Sequence, residues 1–192
     1  YIKYKTFRMK KFNILSVVFF MVVFGKAHAQ DTRTDFHTVG ITIPTVAIVD
    51  IEPALSKNIT MAFTAPVEAG LPIVAPANNA SLWLNYSYIP TTSAKTAKVS
   101  VKMDAVVPGL DVRVQAATAA GSNGGGTLGT IAGSAITLTA VDQQIVSAIG
   151  ASYTGDGASN GHNLTYSLHA NNYTSLFAST PSVTVTYTIS EN

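Results

Sequence analysis

The stretch Leu82-Trp-Leu-Asn-Tyr-Ser-Tyr88 decides the fold class, because Leu and Tyr side chains occupy every second position along it. Successive side chains of a strand point to opposite faces of a sheet, so this pattern predicts a strand with one face in a core. The same period recurs in other segments, which are separated by turns that contain Pro and Gly. These further predicted strands are residues 38–43, 59–64, 98–103, 110–115, 135–140, 162–170 and 181–190.

Short strands separated by regular turn signals predict an all-β fold, namely an antiparallel Ig-like β-sandwich of about eight to ten strands. No long window has the period of a helix, and residues 142–150 fit a short helix, a strand or a loop equally well. The chain contains no cysteine. Disulfides are therefore excluded, and stability must come from the core and from hydrogen bonds between strands.

The first part of the chain has the pattern of a secretory signal peptide. Lys10-Lys11 precede the 11-residue apolar run Ile14–Phe24, and Ala27-His-Ala29 follows it as a small-x-small cleavage site. A helical run of this length is too short for the roughly 30 Å of a bilayer core. We predict that residues 1–29 comprise upstream residues and a cleaved helical signal peptide, and that residues 30–192 form one domain. The protein would then be exported to the periplasm, the cell surface or the medium, without a membrane span after cleavage.

Removal of residues 1–29 reverses the sign of the net charge. The whole chain has 12 basic and 10 acidic residues, but six of the basic residues precede residue 30. The remaining chain carries a net charge of −4, and it has no clustered basic surface of the kind that binds nucleic acid. We therefore predict that nucleic acid is not a partner.

Histidines and acids are too dispersed to predict a catalytic or metal centre. His162 and His169 lie at an odd separation on one predicted strand, so they face opposite sides and are interpreted as surface or turn histidines. Asp50 and Glu52 share one strand face, which fits solvated acids better than a catalytic pair. Asp156 is the only carboxylate in a loop that faintly resembles a calcium site. The sequence thus predicts a non-enzymatic protein with no cofactor, no metal and no catalytic residues.

The segment Gly121–Gly129 contains many glycines but does not fit a phosphate-binding loop. It lacks the Lys-Ser/Thr pair that ends such a loop, and no helical pattern follows it. We interpret it as a flexible hairpin loop.

Trp83 is the candidate ligand-contacting residue. It is out of phase with Leu82 and Leu84, so it either fills a second buried face or is exposed. An exposed aromatic ring can stack on a sugar ring while its polar edge forms hydrogen bonds. Most of the tyrosines are in phase with aliphatic residues, which favours a place at the edge of the core.

Several stretches resemble one kind of exported protein. They are His37–Glu52, Ile145–Gly150, His162–Leu168 and Ser182–Asn192. Together they resemble small exported β-sandwich proteins of Bacteroidetes-type bacteria, and the closing strand is similar to those of fimbrial subunits and spore-coat-U-like proteins. The resemblance implies an Ig-like sandwich that assembles outside the cytoplasm. The chain departs from chaperone–usher fimbrial subunits in lacking cysteine and in having Glu191, rather than an aromatic residue, in the penultimate position.

We therefore expect a non-enzymatic exported structural or adhesive surface protein, with a fibre or coat subunit as its role. The alternative is a carbohydrate-binding module of the periplasm or cell surface. The expected partners are further copies of the chain, through strand pairing, and a glycan.

Strand pairing is expected of His37–Glu52, which is rich in β-branched residues and nearly free of charge before Asp50, because an unpaired strand of this kind invites another chain. This run either pairs within its own sandwich, inserts into a neighbouring subunit, or stays mobile.

Overall fold

The structure, a computed structural model, describes residues 33–192. The predicted upstream residues and signal peptide lie outside the described residues. The chain divides into two units, Tyr1–Thr42 and Ile43–Asn192. The described residues of the first unit, 33–42, form no helix or strand. No helix within residues 33–192 is long and apolar enough to cross a bilayer.

The second unit is a β-sandwich of two antiparallel sheets, which confirms the predicted all-β fold. Its strands are β1 (Val46–Glu52), β2 (Asn79–Ile89), β3 (Ala97–Met103), β4 (Leu110–Ala116), β5 (Gly125–Gly126), β6 (Thr130–Ile131), β7 (Ile136–Thr137), β8 (Gln143–Ile149), β9 (Ser152–Tyr153), β10 (His162–Ala170) and β11 (Val185–Glu191). Short 3-10 turns lie at Ala54–Ser56 and Tyr173–Ser175.

Strand β2 is the centre of the first sheet. That sheet has the order β5-β9-β2-β10-β4-β7, in which β9 and β10 both pair with one edge of β2. Strand β1 pairs with the other edge of β2. The register shows the two edges directly, because Leu84 pairs with Ile51 on one side and with His162 on the other. Strands β9 and β10 therefore follow one another along the same edge of β2. The second sheet has the order β11-β3-β8-β6.

The core lies between the sheets and uses the inward positions that the alternation predicts. Leu84 of β2 and Val99 and Val101 of β3 are completely buried, whereas Lys98 and Lys102, the outward alternates on β3, remain partly exposed. Other large side chains that are almost completely buried are Tyr88, Met103, Val114, Leu138, Ile145, Val146, Ile149 and Leu164. The period-two pattern is thus confirmed in both sheets.

Five of the predicted strands have counterparts that cover most of their length. Strands β2, β3, β4, β10 and β11 correspond to the predictions at residues 82–88, 98–103, 110–115, 162–170 and 181–190. The prediction at residues 135–140 is confirmed only for the two residues of β7. The ambiguous segment at residues 142–150 contains β8.

Two predicted strands are wrong. Residues 38–43 form no strand, and residues 59–64 make only an isolated bridge between Thr64 and Val74. Ile59 and Met61 nevertheless pack against the core. A strand needs a neighbour for its backbone hydrogen bonds, and the alternation of one segment does not reveal whether a neighbour is present. The run His37–Glu52 is accordingly a strand only in its second half, β1.

Candidate functional site

The candidate functional site is the region where edge strands of the two sheets meet. Strand β1 is an edge of the first sheet beside β2, and β11 is an edge of the second sheet beside β3. The two strands lie close to each other. Within the described chain neither pairs with a strand along its other edge. We call this region the β1–β11 seam.

Core-facing side chains are less well covered at the seam than inside the sandwich. Val49 and Ile51 of β1, and Val185 and Ile189 of β11, pack against the core but are only half-buried. The core-facing residues of the adjacent strands β2 and β3 are at most 3% exposed. Apolar surface therefore reaches solvent between two strand edges that pair with no further strand within residues 33–192.

Strand β11 carries an uncharged tyrosine near its middle and a carboxylate at its end. The Tyr187 and Tyr166 hydroxyl oxygens lie 2.8 Å apart, and burial raises the pKa of both groups, so both stay protonated at neutral pH. At the end, Tyr88 Oη donates to Glu191 Oε2 at 2.7 Å. A shallow, open depression at this end is lined by Thr45, Val46, Ala47, Tyr88, Ile89, Thr91 and Glu191.

Residues 36–43, which precede β1 in the chain, carry exposed apolar side chains. Phe36 is 92% exposed, Val39 68%, Ile41 81% and Ile43 73%. The last three occupy every second position, which is the spacing that places side chains on one face of a strand. We call Phe36–Ile43 the donor segment.

Trp83 lies on the outer face of the first sheet and is half-buried. In the strand register it stands between Glu52 of β1 and Asn163 of β10. The Asn163 amide donates to the Ala80 carbonyl oxygen at 2.9 Å, and Glu52 accepts a hydrogen bond from the Ala54 amide at 2.8 Å. Both neighbours thus have partners in the protein, and ligand binding by Trp83 stays a prediction.

The interpretation of the histidines as surface or turn residues is wrong for His162. This residue is only 2% exposed, because its position on β10 faces the core. Its two ring nitrogens have partners, with Nε2 lying 2.9 Å from Tyr86 Oη and Nδ1 2.8 Å from the Ala117 carbonyl oxygen, and such pairing makes burial of a polar ring tolerable. His169 is exposed on the other face of the strand, as predicted, and His37 is exposed within the donor segment.

The acids are not gathered into a metal centre in the part of the chain that the structure describes. Among residues 33–192 no group of three His, Cys, Asp or Glu side chains could hold a metal ion. Asp50 and Glu52 share the outer face of the sheet, where they stand opposite Asn85 and Trp83. Asp156 is exposed in the loop between β9 and β10.

Two glycine-rich segments, which the sequence shows as separate turns, lie side by side. The first is Gly121–Gly126, which contains β5, and the second is Gly155–Gly161, between β9 and β10. Asn123 Nδ2 and Asn160 Oδ1, 3.4 Å apart, join them. Sequence reasoning misses this contact, because turn signals show where a chain bends and not which other loop it meets.

No family model, curated protein or solved structure matches the chain. The residues of the chain itself, and above all the β1–β11 seam and the donor segment, are therefore the basis for a functional proposal.

Proposed function

We propose that this chain is an exported, non-enzymatic structural subunit, and that copies assemble into a fibre or coat by strand addition. In this assembly the donor segment of one copy occupies the β1–β11 seam of the next. One observation carries the proposal, namely the exposure of three β-branched side chains at alternate positions, Val39, Ile41 and Ile43.

The donor segment has the composition of a strand that lacks a partner. Burying a Val or Ile side chain contributes about 1.5–3 kcal/mol, so leaving three of them in water forgoes a large favourable term. The residues in the alternate positions, Thr38, Gly40 and Thr42, are small or polar, which suits the outer face of an added strand. No residue from His37 to Ile43 is a Lys, Arg, Asp or Glu, so the donor segment itself brings no fixed charge that would oppose pairing.

The seam offers what an added strand requires. An incoming strand pairs its backbone with a free sheet edge and places alternate side chains in the gaps that the acceptor leaves. Here the gaps are the half-buried surfaces of Val49 on one side and Ile189 on the other. Asp50 and Glu52 place charge on the second half of β1, and charge on an edge strand opposes pairing. Pairing is therefore expected along the first half, Val46–Val49.

Pro44 opposes a two-residue hairpin loop between the donor segment and its own β1. Only Pro44 and Thr45 separate Ile43 from Val46. The commonest two-residue hairpin loops have positive φ at their first position, whereas proline holds φ near −65°. In the proposed assembly the donor segment pairs with another copy, and such a head-to-tail contact extends into a filament where the rotation between copies does not close a ring.

The test compares assembly of the unchanged protein with that of two single variants. Ile41→Lys removes an apolar side chain from the proposed buried face, and Thr42→Lys places the same charge on the opposite face as a matched control. Light scattering after size-exclusion chromatography, with electron microscopy of the same fractions, should show assembly about tenfold or more weaker for Ile41→Lys. Thr42→Lys should assemble like the unchanged protein.

A deletion of residues 36–44 gives a second, independent result. Strand β1 and the core remain in this variant, so we expect a folded monomer that no longer assembles. A synthetic peptide of residues 36–45 should bind this monomer and raise its midpoint of thermal unfolding. Assembly that persists in the deletion variant, or a monomer that is indifferent to the peptide, would show that the donor segment does not join the copies.

A further inference from the structure

We propose that Tyr153 and the two adjoining glycine-rich loops form a binding site for neutral sugars. Loop A is Gly121–Gly126 and loop B is Gly155–Gly161. The site is separate from the β1–β11 seam, because Ser87 of β2 pairs with Ile48 of β1 on one edge and with Tyr153 on the other. It does not depend on strand addition, so either proposal can hold without the other.

The aromatic ring of Tyr153 packs on β5 and is exposed to solvent. Its side chain is 54% exposed, and in the strand register it stands opposite Gly125. A Cβ added to Gly125 would lie 3.0 Å from Tyr153 Oη and 3.1 Å from Cζ, so the ring rests directly on the backbone of β5. One side of the ring is thus held by the protein, and a large part of the ring remains open to a ligand.

Two glycines pack closely against asparagine side chains where the two loops meet. A Cβ on Gly155 would lie 3.0 Å from the Cβ of Asn123, and one on Gly121 would overlap Asn160 Oδ1. Gly121 and Gly155 also have φ values of 92° and 85°, which side-chain-bearing residues rarely adopt. Asn160 Nδ2 donates to the Asp156 carbonyl oxygen at 2.8 Å. The glycines therefore allow an approach that other residues would prevent.

Loop B is also tied to the sheet beneath it. Asn85 Nδ2 donates to the carbonyl oxygens of Gly155 at 2.7 Å and Gly157 at 3.2 Å. At the far end of the loop, Gly161 exchanges two backbone hydrogen bonds of 2.7 and 3.0 Å with Ala120. These bonds hold the loop in place before any ligand arrives, which reduces the entropy lost on binding.

The polar groups of the two loops match a neutral sugar. Ser122, Asn123, Asp156 and Ser159 are exposed there, and they supply hydroxyl groups, an amide and a single carboxylate. Sugar hydroxyls both donate and accept hydrogen bonds, so this mixture suits them, while the apolar face of a sugar ring suits the ring of Tyr153. Neither loop contains Lys or Arg, which disfavours an anionic ligand, and one carboxylate is too few to select a polycation or a calcium ion.

The experiment measures sugar binding by the purified protein. Neutral hexasaccharides built from glucose, mannose or galactose are the probes, with acidic polygalacturonate and amine-bearing chitosan oligomers as charged comparisons. Calorimetry and amide NMR shifts should detect binding of at least one neutral probe, with the largest shifts at residues 121–126 and 153–161. Tyr153→Ala should weaken this binding about tenfold or more. Tyr153→Phe, which keeps the ring, should retain most of it.

Tyr173→Ala is the matched control, because Tyr173 is also 54% exposed but lies in the 3-10 turn Tyr173–Ser175. It should leave sugar binding unchanged. The proposal is overturned if no neutral probe binds at millimolar concentration, if only a charged probe binds, or if Tyr153→Ala binds as the unchanged protein does. Loss of binding in Trp83→Phe but not in Tyr153→Ala would also overturn it, because the ligand would then lie at Trp83.

Discussion

Tyr86 and His162 form a buried hydrogen-bonded pair, with Tyr86 Oη 2.9 Å from His162 Nε2 and the two rings stacked at a centroid distance of 5.6 Å. His162 Nδ1 lies 2.8 Å from the Ala117 carbonyl oxygen, which only accepts, so Nδ1 carries a proton. The Tyr86 hydroxyl also donates to the Leu128 carbonyl oxygen. When His162 is neutral, one hydroxyl proton must serve both Nε2 and the Leu128 oxygen. A second proton on His162 would satisfy every acceptor, but burial opposes the charge.

Because of this pair, we expect the free energy of unfolding to decrease on mild acidification. Burial lowers the pKa of His162 from its ordinary value of 6.5, so below about pH 6.5 the unfolded chain binds this proton more readily than the folded chain. Stability should therefore decrease as the pH falls below 6.5, by at most about 1.4 kcal/mol per pH unit for one proton. Urea unfolding at pH 7.5, 6.5 and 5.5 measures this slope. His162→Gln should flatten it, whereas His169→Gln, at an exposed position, should not.

We expect a second decrease in the free energy of unfolding at much lower pH, because of Glu191. Hydrogen bonds from the hydroxyl and amide groups of Thr91 and from Tyr88 Oη lower the pKa of its carboxyl to about 2. A lowered carboxyl pKa stabilises the fold above the ordinary value of about 4.5, and the gain is lost as the pH falls towards 2. Glu191→Ala should lower the midpoint of thermal unfolding at pH 7 by a few degrees. Glu68→Ala, in an exposed loop, is the control, and an equal effect of both changes would refute a specific role for Glu191.

Leu84 should be among the most sensitive positions of the core. Its side chain is completely buried between the sheets, so Leu84→Ala should lower the free energy of unfolding by about 2–5 kcal/mol. Leu55 is fully exposed in the 3-10 turn after β1, and the same substitution there should change stability by about 0.5 kcal/mol or less. Urea unfolding of both variants makes the comparison. Similar losses at the two positions would contradict the burial described for the sandwich.

Gly161 should not tolerate a side chain. Its φ is 71°, and an added Cβ would collide with the carbonyl oxygen of Leu84 on the adjacent strand. Gly161→Ala should therefore destabilise the protein by more than about 1 kcal/mol. Gly133 has nothing within 4 Å of the corresponding Cβ position, so Gly133→Ala should be neutral or slightly stabilising. Thermal unfolding of the two variants tests the difference, and equal midpoints would show that the strand contact at Gly161 can relax.

The face of the sheet on which a side chain lies could be predicted from the sequence, but the exposure of an outward side chain could not. The alternation at Leu82–Tyr88 assigns Leu84 to the core and Trp83 to the outer face, because the pleat of a strand leaves no other choice. How much of Trp83 is covered depends on its neighbours across the sheet, Glu52 and Asn163. Those neighbours come from distant parts of the chain, and their alignment is set by pairing and not by local pattern.

Sequence alone determined that the chain is an all-β sandwich without disulfides, because side-chain period, turn residues and cysteine content are local properties. Tertiary structure decided which alternating segments are strands. Residues 38–43 alternate as clearly as Val99–Met103, yet only the second has strands β8 and β11 beside it to complete its hydrogen bonds. Tertiary structure also decided that His162 is buried against Tyr86 and that Gly121–Gly126 meets Gly155–Gly161. These contacts join residues far apart in the chain, so no local period encodes them.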